Sequence, residues 1–400
     1  MENMTQSDAV LAVGIESVRI AVPAARSLHR RGIAVDFATI GAAEKRVRSR
    51  AVRATYGLPN CATSQPEFAS ALLKLVEKHR YSAVLPLSDR ALVAVGPIDA
   101  ALRERTTLMC PPPHIVDRVL DKSQTVALAR GCGVRVPESY VVRDLAELDA
   151  MRSSLKFPLI AKGKSRHHLV GFKVAYFRTF DDLRGRSAAD PAFLPNVLLQ
   201  EYVGGDGLLF AVLMDRGSAL SVFQHRRLTE LPASGGVGVS YISEPPDPAI
   251  TAQALAILRA VEWNGMCCVE FRHDRVTGDL WLLEVNGRNW GALTSALACG
   301  LDLPFYHWQL TRGIEPAIPA TYPSGVRVRW LAGDVARLRG IFNGSGTKGL
   351  TKFSKWRETL RFVADFDARI HIAPWSASDP LPAIYELWYA VRGPRWRTLA

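Results

Sequence analysis

The stretch from residue 266 to residue 300 constrains the fold and the chemistry of this chain more than any other segment. It begins with two apolar, β-favouring runs that flank a polar connection containing a glycine, a pattern that predicts a β-hairpin. In a simple antiparallel register Glu270 lies opposite Glu284, and Asn286 points to the same face because side chains alternate along a strand. The sequence therefore predicts three converging oxygen-bearing side chains inside an apolar hairpin.

Two carboxylates that face each other in a sheet repel, and burying them without a counter-charge is costly. A hard divalent cation removes that cost, and Mg²⁺ takes carboxylate and amide oxygens together with phosphate oxygens. We therefore predict Glu270, Glu284 and Asn286 as metal ligands, and Arg288 as a planar donor to a phosphate. The alternative is a solvated surface hairpin, which the flanking Val, Phe, Trp and Leu residues disfavour.

The run E-V-N-G-R-N-W-G-A-L, followed by G-L-D-L-P-F, resembles the metal-binding signature of the ATP-grasp ligases. More narrowly, it resembles the carboxylate–amine ligases, or predicted carboligases, of that superfamily. The resemblance implies an α/β fold with a Rossmann-like pre-ATP-grasp domain, a two-subdomain ATP-grasp fold and a C-terminal extension. We expect the Rossmann-like domain at 1–111, the small subdomain at 112–200, the large subdomain with the metal site at 201–318, and a basic, Trp-rich extension at 319–400.

Strand and helix patterns alternate through the first part of the chain, and this alternation independently predicts a small parallel α/β unit. No Gly-x-Gly-x-x-Gly follows the first strand and no Walker-type motif occurs, so dinucleotide binding and a P-loop are poorly supported. Ser88 and Asp89 follow a predicted strand, where α/β sheets usually bind ligands. Substrate contact and capping of the next helix both remain open for this pair.

The nucleotide assignments follow from the resemblance. Lys122 opens a helix where the family's lysine reaches a phosphate, and Lys162 occupies the place of its strand lysine, where a compact ammonium suits a phosphate. A strand-edge lysine that blocks aggregation is the alternative for Lys162. Gln200 and the following residues resemble the hinge between the subdomains, which implies adenine contacts from the backbone of Glu201 and Val203 and a ribose contact from Asp206.

Two loops are expected to close over the phosphates. Residues 165–174 occupy the place of the family's small phosphate loop, with the basic run 166–168 in place of backbone donors, and a mobile, solvated loop is the alternative. Arg226 and Arg227 precede a glycine-rich loop, and we expect them to hold the γ-phosphate or the substrate carboxylate. The alternative is a solvated arginine pair beside a flexible loop.

The composition bounds the partners and the compartment. The formal charge of +12 suits nucleic acid, an anionic membrane surface or anionic ligands, and no nucleic-acid-binding signature supports the first. The six cysteines, including adjacent Cys267 and Cys268, form no Cys-x-x-Cys pattern and indicate small buried side chains in a reducing cytoplasm. No run approaches the ~20 apolar residues of a membrane helix, and no secretory signal is indicated.

The last eighty residues differ from the rest in composition. They hold thirteen Lys or Arg against six Asp or Glu, and five of the nine tryptophans. Aromatic and basic residues together are typical of a membrane interface or a surface for an acidic partner. Helices packed on the catalytic body with snorkelling arginines suit the same composition.

We predict an ATP-dependent carboxylate–amine ligase that forms an amide through an acyl phosphate and releases ADP and phosphate. Its expected cofactors are ATP and Mg²⁺, with two ions and with Mn²⁺ able to substitute, and its partners are small-molecule carboxylate and amine substrates. One alternative is the same activation with ammonia, a thiol or an enolate-like carbon as the nucleophile, the last as in carboxylation chemistry. Another is a non-catalytic nucleotide-binding scaffold. Nucleic acid is not expected as a partner, and a homodimer stays open.

Overall fold

The computed structural model describes residues 7–41, 47–164, 174–233, 235–274, 276–344 and 353–392. These residues form three sheets. The first is a five-stranded parallel sheet with the strand order β3-β2-β1-β4-β5, and it confirms the predicted parallel α/β unit. Its elements are β1 (Ser7–Val13), α1 (Val18–His29), β2 (Ala34–Ile40), β3 (Ala54–Leu58), α2 (Gln65–His79), β4 (Tyr81–Pro86), α3 (Asp89–Val95), α4 (Asp99–Arg103) and β5 (Thr107–Leu108).

The second sheet has four strands in the order β6-β9-β7-β8, and its pairings are antiparallel. Its apolar side chains, among them Leu148, Leu159 and Leu183, form a core of their own. The elements of this unit are β6 (Ser139–Tyr140), α7 (Leu145–Ala150), β7 (Leu159–Gly163), β8 (Val174–Phe177), α8 (Phe180–Ala189) and β9 (Val197–Glu201). They are preceded along the chain by α5 (Pro113–Leu120) and α6 (Lys122–Gly131), which pack against the third sheet.

The third sheet has seven strands in the order β14-β13-β10-β11-β12-β15-β16. Its elements are β10 (Asp206–Asp215), β11 (Ser218–Leu231), β12 (Val237–Glu244), α9 (Pro248–Ala260), β13 (Gly265–His273), β14 (Leu280–Asn286), α10 (Leu293–Ala298), α11 (Leu303–Thr311), β15 (Arg327–Trp330), α12 (Leu331–Phe342), α13 (Lys355–Ala364), β16 (His371–Ala373) and α14 (Leu381–Arg392). The last two strands extend this sheet, so the segment predicted as a separate extension contributes to it.

The two faces of the seven-stranded sheet pack against different partners, because side chains alternate along each strand. Leu209, Ala211 and Cys268 belong to a core shared with α1, α10, α11 and the first sheet. Phe210 and Val269 point the other way, into a core formed with α5, α6 and α9. The side chain of Glu270 lies on the first of these faces, so it is directed toward the side on which the N-terminal unit packs.

None of the helices in the described part of the chain is long and apolar enough to cross a bilayer.

Candidate nucleotide and metal site

The hairpin β13–β14 has the register that the sequence predicts. Glu270 pairs with Glu284, and Cys268 pairs with Asn286. The register shifts immediately after Glu270, where Phe271 pairs with Leu282, so Leu283 is the extra residue of a β-bulge. The two glutamate side chains are partly buried, with exposed fractions of 17% and 26%. The facing of the carboxylates is confirmed, and their role as metal ligands stays a prediction.

Asn286 joins the two carboxylates. Its Nδ2 donates to Glu284 Oε1 at 3.1 Å and to Glu270 Oε1 at 3.5 Å, and its Oδ1 accepts from Arg288 Nη2 at 3.3 Å. In this arrangement the amide hydrogens of Asn286 reduce the repulsion between the Glu270 and Glu284 carboxylates. Two carboxylates and one amide on a single patch are the donor types that Mg²⁺ prefers, so the residues fit a Mg²⁺ ion.

Among the described residues, no group of three or more His, Cys, Asp or Glu side chains is arranged to hold a metal ion. A cation at the hairpin would draw on Glu270, Glu284 and the Asn286 amide oxygen, with the rest of its shell supplied by phosphate or water.

Two lysines, Lys122 at the start of α6 and Lys162 on β7 of the four-stranded sheet, reach the same patch. Lys162 lies on β7 with its Nζ donating to Gln200 Oε1 at 2.9 Å, and Lys122 Nζ lies 4.0 Å from Glu284 Oε2. Burial lowers the pKa of Lys162 to about 8, although the negative charge of Glu284 opposes that shift. Gln200 is itself buried and donates to Ser139 Oγ at 3.0 Å. Gln200 therefore positions the Lys162 ammonium.

Local structure explains the position of Lys122. The Asp121 side chain caps helix α6 by accepting hydrogen bonds from the N–H groups of Ser123 and Gln124 at 2.8 and 3.0 Å. The Lys122 N–H donates to the carbonyl of Lys164 at 2.9 Å, which ties the start of the helix to the end of β7. Both lysines line one pocket with Asp89, Gln200, Glu284 and Asn286.

The predicted hinge follows β9. The N–H of Glu201 donates to the carbonyl of Glu138 at 2.8 Å, and the N–H of Tyr202 donates to the carbonyl of Pro158 at 3.0 Å. The Glu201 N–H is therefore engaged within the four-stranded sheet. An adenine edge at this position is expected to use the Glu201 carbonyl together with the N–H of Val203, which lies just beyond the strand.

The predicted arginine pair is split between the two faces of the sheet. Arg227 is buried, and it donates to Glu270, to Glu230 Oε1 at 3.1 Å and to the Gly236 carbonyl at 3.1 Å. Burial works to lower the pKa of Arg227, but the charges of Glu270 and Glu230 outweigh it and raise that pKa.

Arg226 points away from the carboxylate pair. It donates to Glu244 Oε1 at 2.6 Å, and its Nε lies 4.0 Å from Asp206 Oδ2. The two arginines lie on opposite faces of β11, because adjacent residues of a strand face opposite sides, and their role at the γ-phosphate or the substrate carboxylate stays a prediction. Asp206, the predicted ribose ligand, lies beside Arg226 at the start of β10.

Asp89 of the N-terminal unit holds the Arg288 side chain. Arg288 Nε donates to Asp89 Oδ1 at 2.7 Å, and Nη2 donates to Oδ2 at 3.2 Å. Burial works to lower the pKa of Arg288, but the charge and hydrogen bonds of Asp89 raise it above its ordinary value. Ser88 caps α3 by accepting from the Ala91 N–H at 3.1 Å. Of the two roles left open for this pair, Ser88 therefore caps the helix, whereas Asp89 lines the pocket.

Sequence reasoning missed Arg272 and Glu230. Arg272 donates to both carboxylate oxygens of Glu230, at 2.9 and 2.7 Å, and to the carbonyl of Gly205 at 3.0 Å. Glu230 also accepts from Arg227, so alternating charges run from the turn after the hinge to Glu270. Arg272 lies two residues after Glu270 and therefore shares its face, which is the one signal that the sequence offered.

The glycine-rich loop contacts the four-stranded sheet. Tyr176 Oη on β8 donates to the Gly235 carbonyl at 3.1 Å. Of the predicted small phosphate loop at 165–174, residues 165–173 lie outside the described residues.

No protein-family model matches the chain. Over 198 residues the chain is 29% identical to a D-alanine–D-alanine ligase from Acidiphilium cryptum (strain JF-5). The alignment covers 46% of this chain and 64% of that protein, so it spans less than two thirds of the length of the relative.

Solved structures match most of the chain. An ADP complex of PurK, an N5-carboxyaminoimidazole ribonucleotide synthetase, has a TM-score of 0.63 at 12% identity, covering 86% of each chain. An L-amino acid ligase from Bacillus licheniformis has a TM-score of 0.61 at 17% identity, covering 77% of this chain and 75% of that one. The biotin carboxylase domain of Hydrogenobacter thermophilus 2-oxoglutarate carboxylase, in complex with MgADP, has a TM-score of 0.62 at 16% identity, covering 78% and 71%.

The chain shares the mixed α/β fold of these solved structures, and 46% of it aligns with a D-alanine–D-alanine ligase. The α/β fold that the resemblance implies is thereby confirmed.

Proposed function

We propose that this chain is an ATP-dependent carboxylate–amine ligase. The observation that carries the proposal is a pocket lined by Glu284, Asn286 and two lysines, with Glu270 and Arg288 hydrogen-bonded to Asn286 beside it. Facing carboxylates beside several cations form a site for a metal-bound polyphosphate rather than for a neutral ligand. The similarity to an amino-acid ligase and to a D-alanine–D-alanine ligase supports an amine as the acceptor.

The residues divide the work of binding. Glu270, Glu284 and Asn286 would hold one or two Mg²⁺ ions, or Mn²⁺ in their place, and the bound ions would supply positive charge to the phosphates. Lys122 and Lys162 contact phosphate oxygens. The backbone at Glu201 and Val203 pairs with the adenine edge, and Asp206 binds the ribose; these assignments rest on the family resemblance.

The transfer step needs positioning and charge stabilisation rather than a protein nucleophile. The substrate carboxylate attacks the γ-phosphorus, the bond to the β-phosphate oxygen breaks, and ADP leaves. Arg288 stabilises the charge on the transferring group. The amine then displaces phosphate from the acyl phosphate to form an amide. Arg227 lies next to Glu270 and steadies that carboxylate.

The test measures products in the presence of ATP, Mg²⁺ and a library of carboxylates and amines. We expect equal amounts of ADP and phosphate, dependent on a carboxylate, and a hydroxamate when hydroxylamine replaces the amine. AMP and pyrophosphate would contradict the mechanism. If ADP release depends on a carboxylate but product forms only with a thiol or a carbon nucleophile, the activation step is supported and the amine is not the acceptor. Nucleotide binding without turnover across the library would favour a scaffold.

The remaining proposals concern assembly. We propose small-molecule carboxylate and amine partners in the cytoplasm, and a homodimer as the alternative to a monomer. Sedimentation velocity at two protein concentrations decides the oligomeric state.

A further inference from the structure

Helix α14 presents a broad apolar face to solvent. The residues on this face recur at helical spacing over about 160° of the helix circumference. Their side chains are between 38% and 62% exposed, and they are Leu381, Ile384, Tyr385, Trp388, Tyr389 and Val391. Large aromatic side chains on a polypeptide surface are costly to leave in water, so such a face indicates an interaction site.

The opposite face of α14 packs against the body of the protein. Pro382 and Ala390 are buried, and Glu386 accepts a hydrogen bond from Trp330 Nε1 at 3.0 Å. The helix is therefore anchored on the body of the protein through a different set of residues, and its exposed apolar face is not needed to hold it there.

Helix α13 repeats the arrangement. Trp356, Leu360 and Val363 follow one another at intervals of four and three residues and are 70%, 50% and 61% exposed. Both α13 and α14 pack against α12. We call the exposed apolar side chains of α13 and α14, together with the basic side chains on these helices, the aromatic–basic face.

Among the described residues of 353–392, the charged side chains that form no ion pair are basic, apart from Glu386, which is hydrogen-bonded to Trp330. Every acidic side chain between 353 and 392 already has a partner within the chain: Glu358 pairs with Arg337, Asp365 with Arg327, Asp367 with Arg369, Asp379 with Arg26, and Glu386 accepts from Trp330. In the described residues, no ion pair involves Lys355, Arg357, Arg361 or Arg392. The Arg392 guanidinium lies 4.3 Å from the centre of the Trp388 ring.

We propose that the aromatic–basic face docks on an anionic lipid surface. Tryptophan and tyrosine are favoured at the boundary between headgroups and acyl chains, and basic side chains near them are attracted to anionic headgroups. A second copy of this chain fits less well. A twofold contact through this face would bring identical cations together, with no acidic side chain available to pair with them. The proposal is independent of the proposed ligase activity.

Vesicle sedimentation tests the proposal with the full chain. The vesicles consist of phosphatidylcholine alone, or of phosphatidylcholine with about one third phosphatidylglycerol. We expect the protein to sediment with the anionic vesicles only, and the bound fraction to fall as salt is raised. Trp388→Ser and Trp356→Ser, on separate helices, should each lower the bound fraction about fivefold or more. Ile314→Ser removes a comparably exposed apolar side chain, 46% exposed, outside this face and should bind like the parent.

Circular dichroism confirms that the variants are folded, so that a loss of binding is assigned to the face. Absence of sedimentation with either vesicle overturns the proposal, and so does equal binding to both. A protein mass that doubles with concentration, and that Trp388→Ser returns to the monomer value, would make a second copy the occupant. Vesicle binding that appears only after residues 393–400 are removed would make the chain's own end the occupant.

Discussion

Replacing Asp89 by Asn tests whether the N-terminal unit takes part in the chemistry. The substitution keeps the shape of the side chain and removes the charge that faces Arg288. The Asp89 and Arg288 side chains are only 12% and 17% exposed, so water cannot readily take the place of the carboxylate. We expect Arg288 to lose its counter-charge and one of the two hydrogen bonds that fix its orientation.

The size of the expected loss in the free energy of unfolding follows from the contacts that Arg288 keeps. Removing one partner of a buried ion pair costs about 3–5 kcal/mol when the other charge is left unpaired. Arg288 retains the Asn289 carbonyl at 3.1 Å and the Asn286 Oδ1 at 3.3 Å, and the amide introduced by Asp89→Asn would still offer one acceptor oxygen. We therefore expect a loss of about 2 kcal/mol in the free energy of unfolding, below the range for a fully abandoned charge.

The effect on turnover should be larger than the effect on nucleotide binding. An electrostatic stabiliser that is displaced from the transferring group typically lowers kcat by about 10²–10³-fold. The KM for ATP should change by no more than about threefold, because the lysines that contact the phosphates keep their positions. Steady-state ADP release, measured against ATP at a saturating carboxylate, separates the two parameters.

Ser88→Ala is the matched control. It removes the cap of α3, which costs about 1 kcal/mol in the free energy of unfolding, but leaves the Asp89 carboxylate in place. We expect that variant to melt earlier with kcat unchanged. A kcat of Asp89→Asn equal to that of Ser88→Ala would refute the positioning of Arg288 by Asp89. A rise in the KM for ATP that accounts for the whole loss would refute it as well.

Three further predictions concern the hairpin, the buried lysine and the glycine-rich loop. Glu284→Gln should abolish ADP release with little change in melting temperature, because one metal ligand is lost; full activity at ordinary Mg²⁺ would contradict the metal assignment. Lys162→Ala should weaken the binding of ATP more than the binding of adenosine, as measured by calorimetry. Equal losses of affinity for both ligands would indicate a structural role for Lys162. Because burial sets the pKa of Lys162 at about 8, its ammonium is charged below pH 8 and neutral above it. The affinity of the parent for ATP should therefore fall between pH 7 and pH 9 more steeply than that of Lys162→Ala, and parallel pH profiles would exclude this lysine as the cause. Proteolysis at the loop around Gly235 and Gly236 should slow when ATP, Mg²⁺ and substrate are bound, as for an active-site lid, whereas unchanged cleavage at saturation would argue against closure.

The facing of Glu270 and Glu284 could be predicted from the sequence because a hairpin is a local structure. Its register follows from the spacing about one turn, and the bulge falls beyond the pair and does not disturb it. The parallel N-terminal unit was equally accessible, since each strand and helix carries its own hydrophobic pattern.

Contacts between distant segments could not be predicted in this way. Asp89 and Arg288 are 199 residues apart, and nothing in the local pattern of either residue indicates the other. The separation of Arg226 from Arg227 was accessible in principle from strand alternation, but the glycine-rich loop beside them suggested a loop in which both side chains would be free to turn. The strand β15 has a visible alternating pattern, yet its place in the large sheet depends on pairing with β12, far away along the chain.

A row of alternating charges, Arg272, Glu230, Arg227 and Glu270, begins at the Gly205 carbonyl. It connects the proposed cation site with the turn before β10. A cation bound at Glu270, as we propose, would compete with Arg227 for that carboxylate, and a released Arg227 would leave Glu230 to be balanced by Arg272 alone. Arg272 also donates to the Gly205 carbonyl in the turn before β10, so the affinity for the cation would depend on how that turn is held. By thermodynamic reciprocity the bound cation would change the stability of the turn by the same factor.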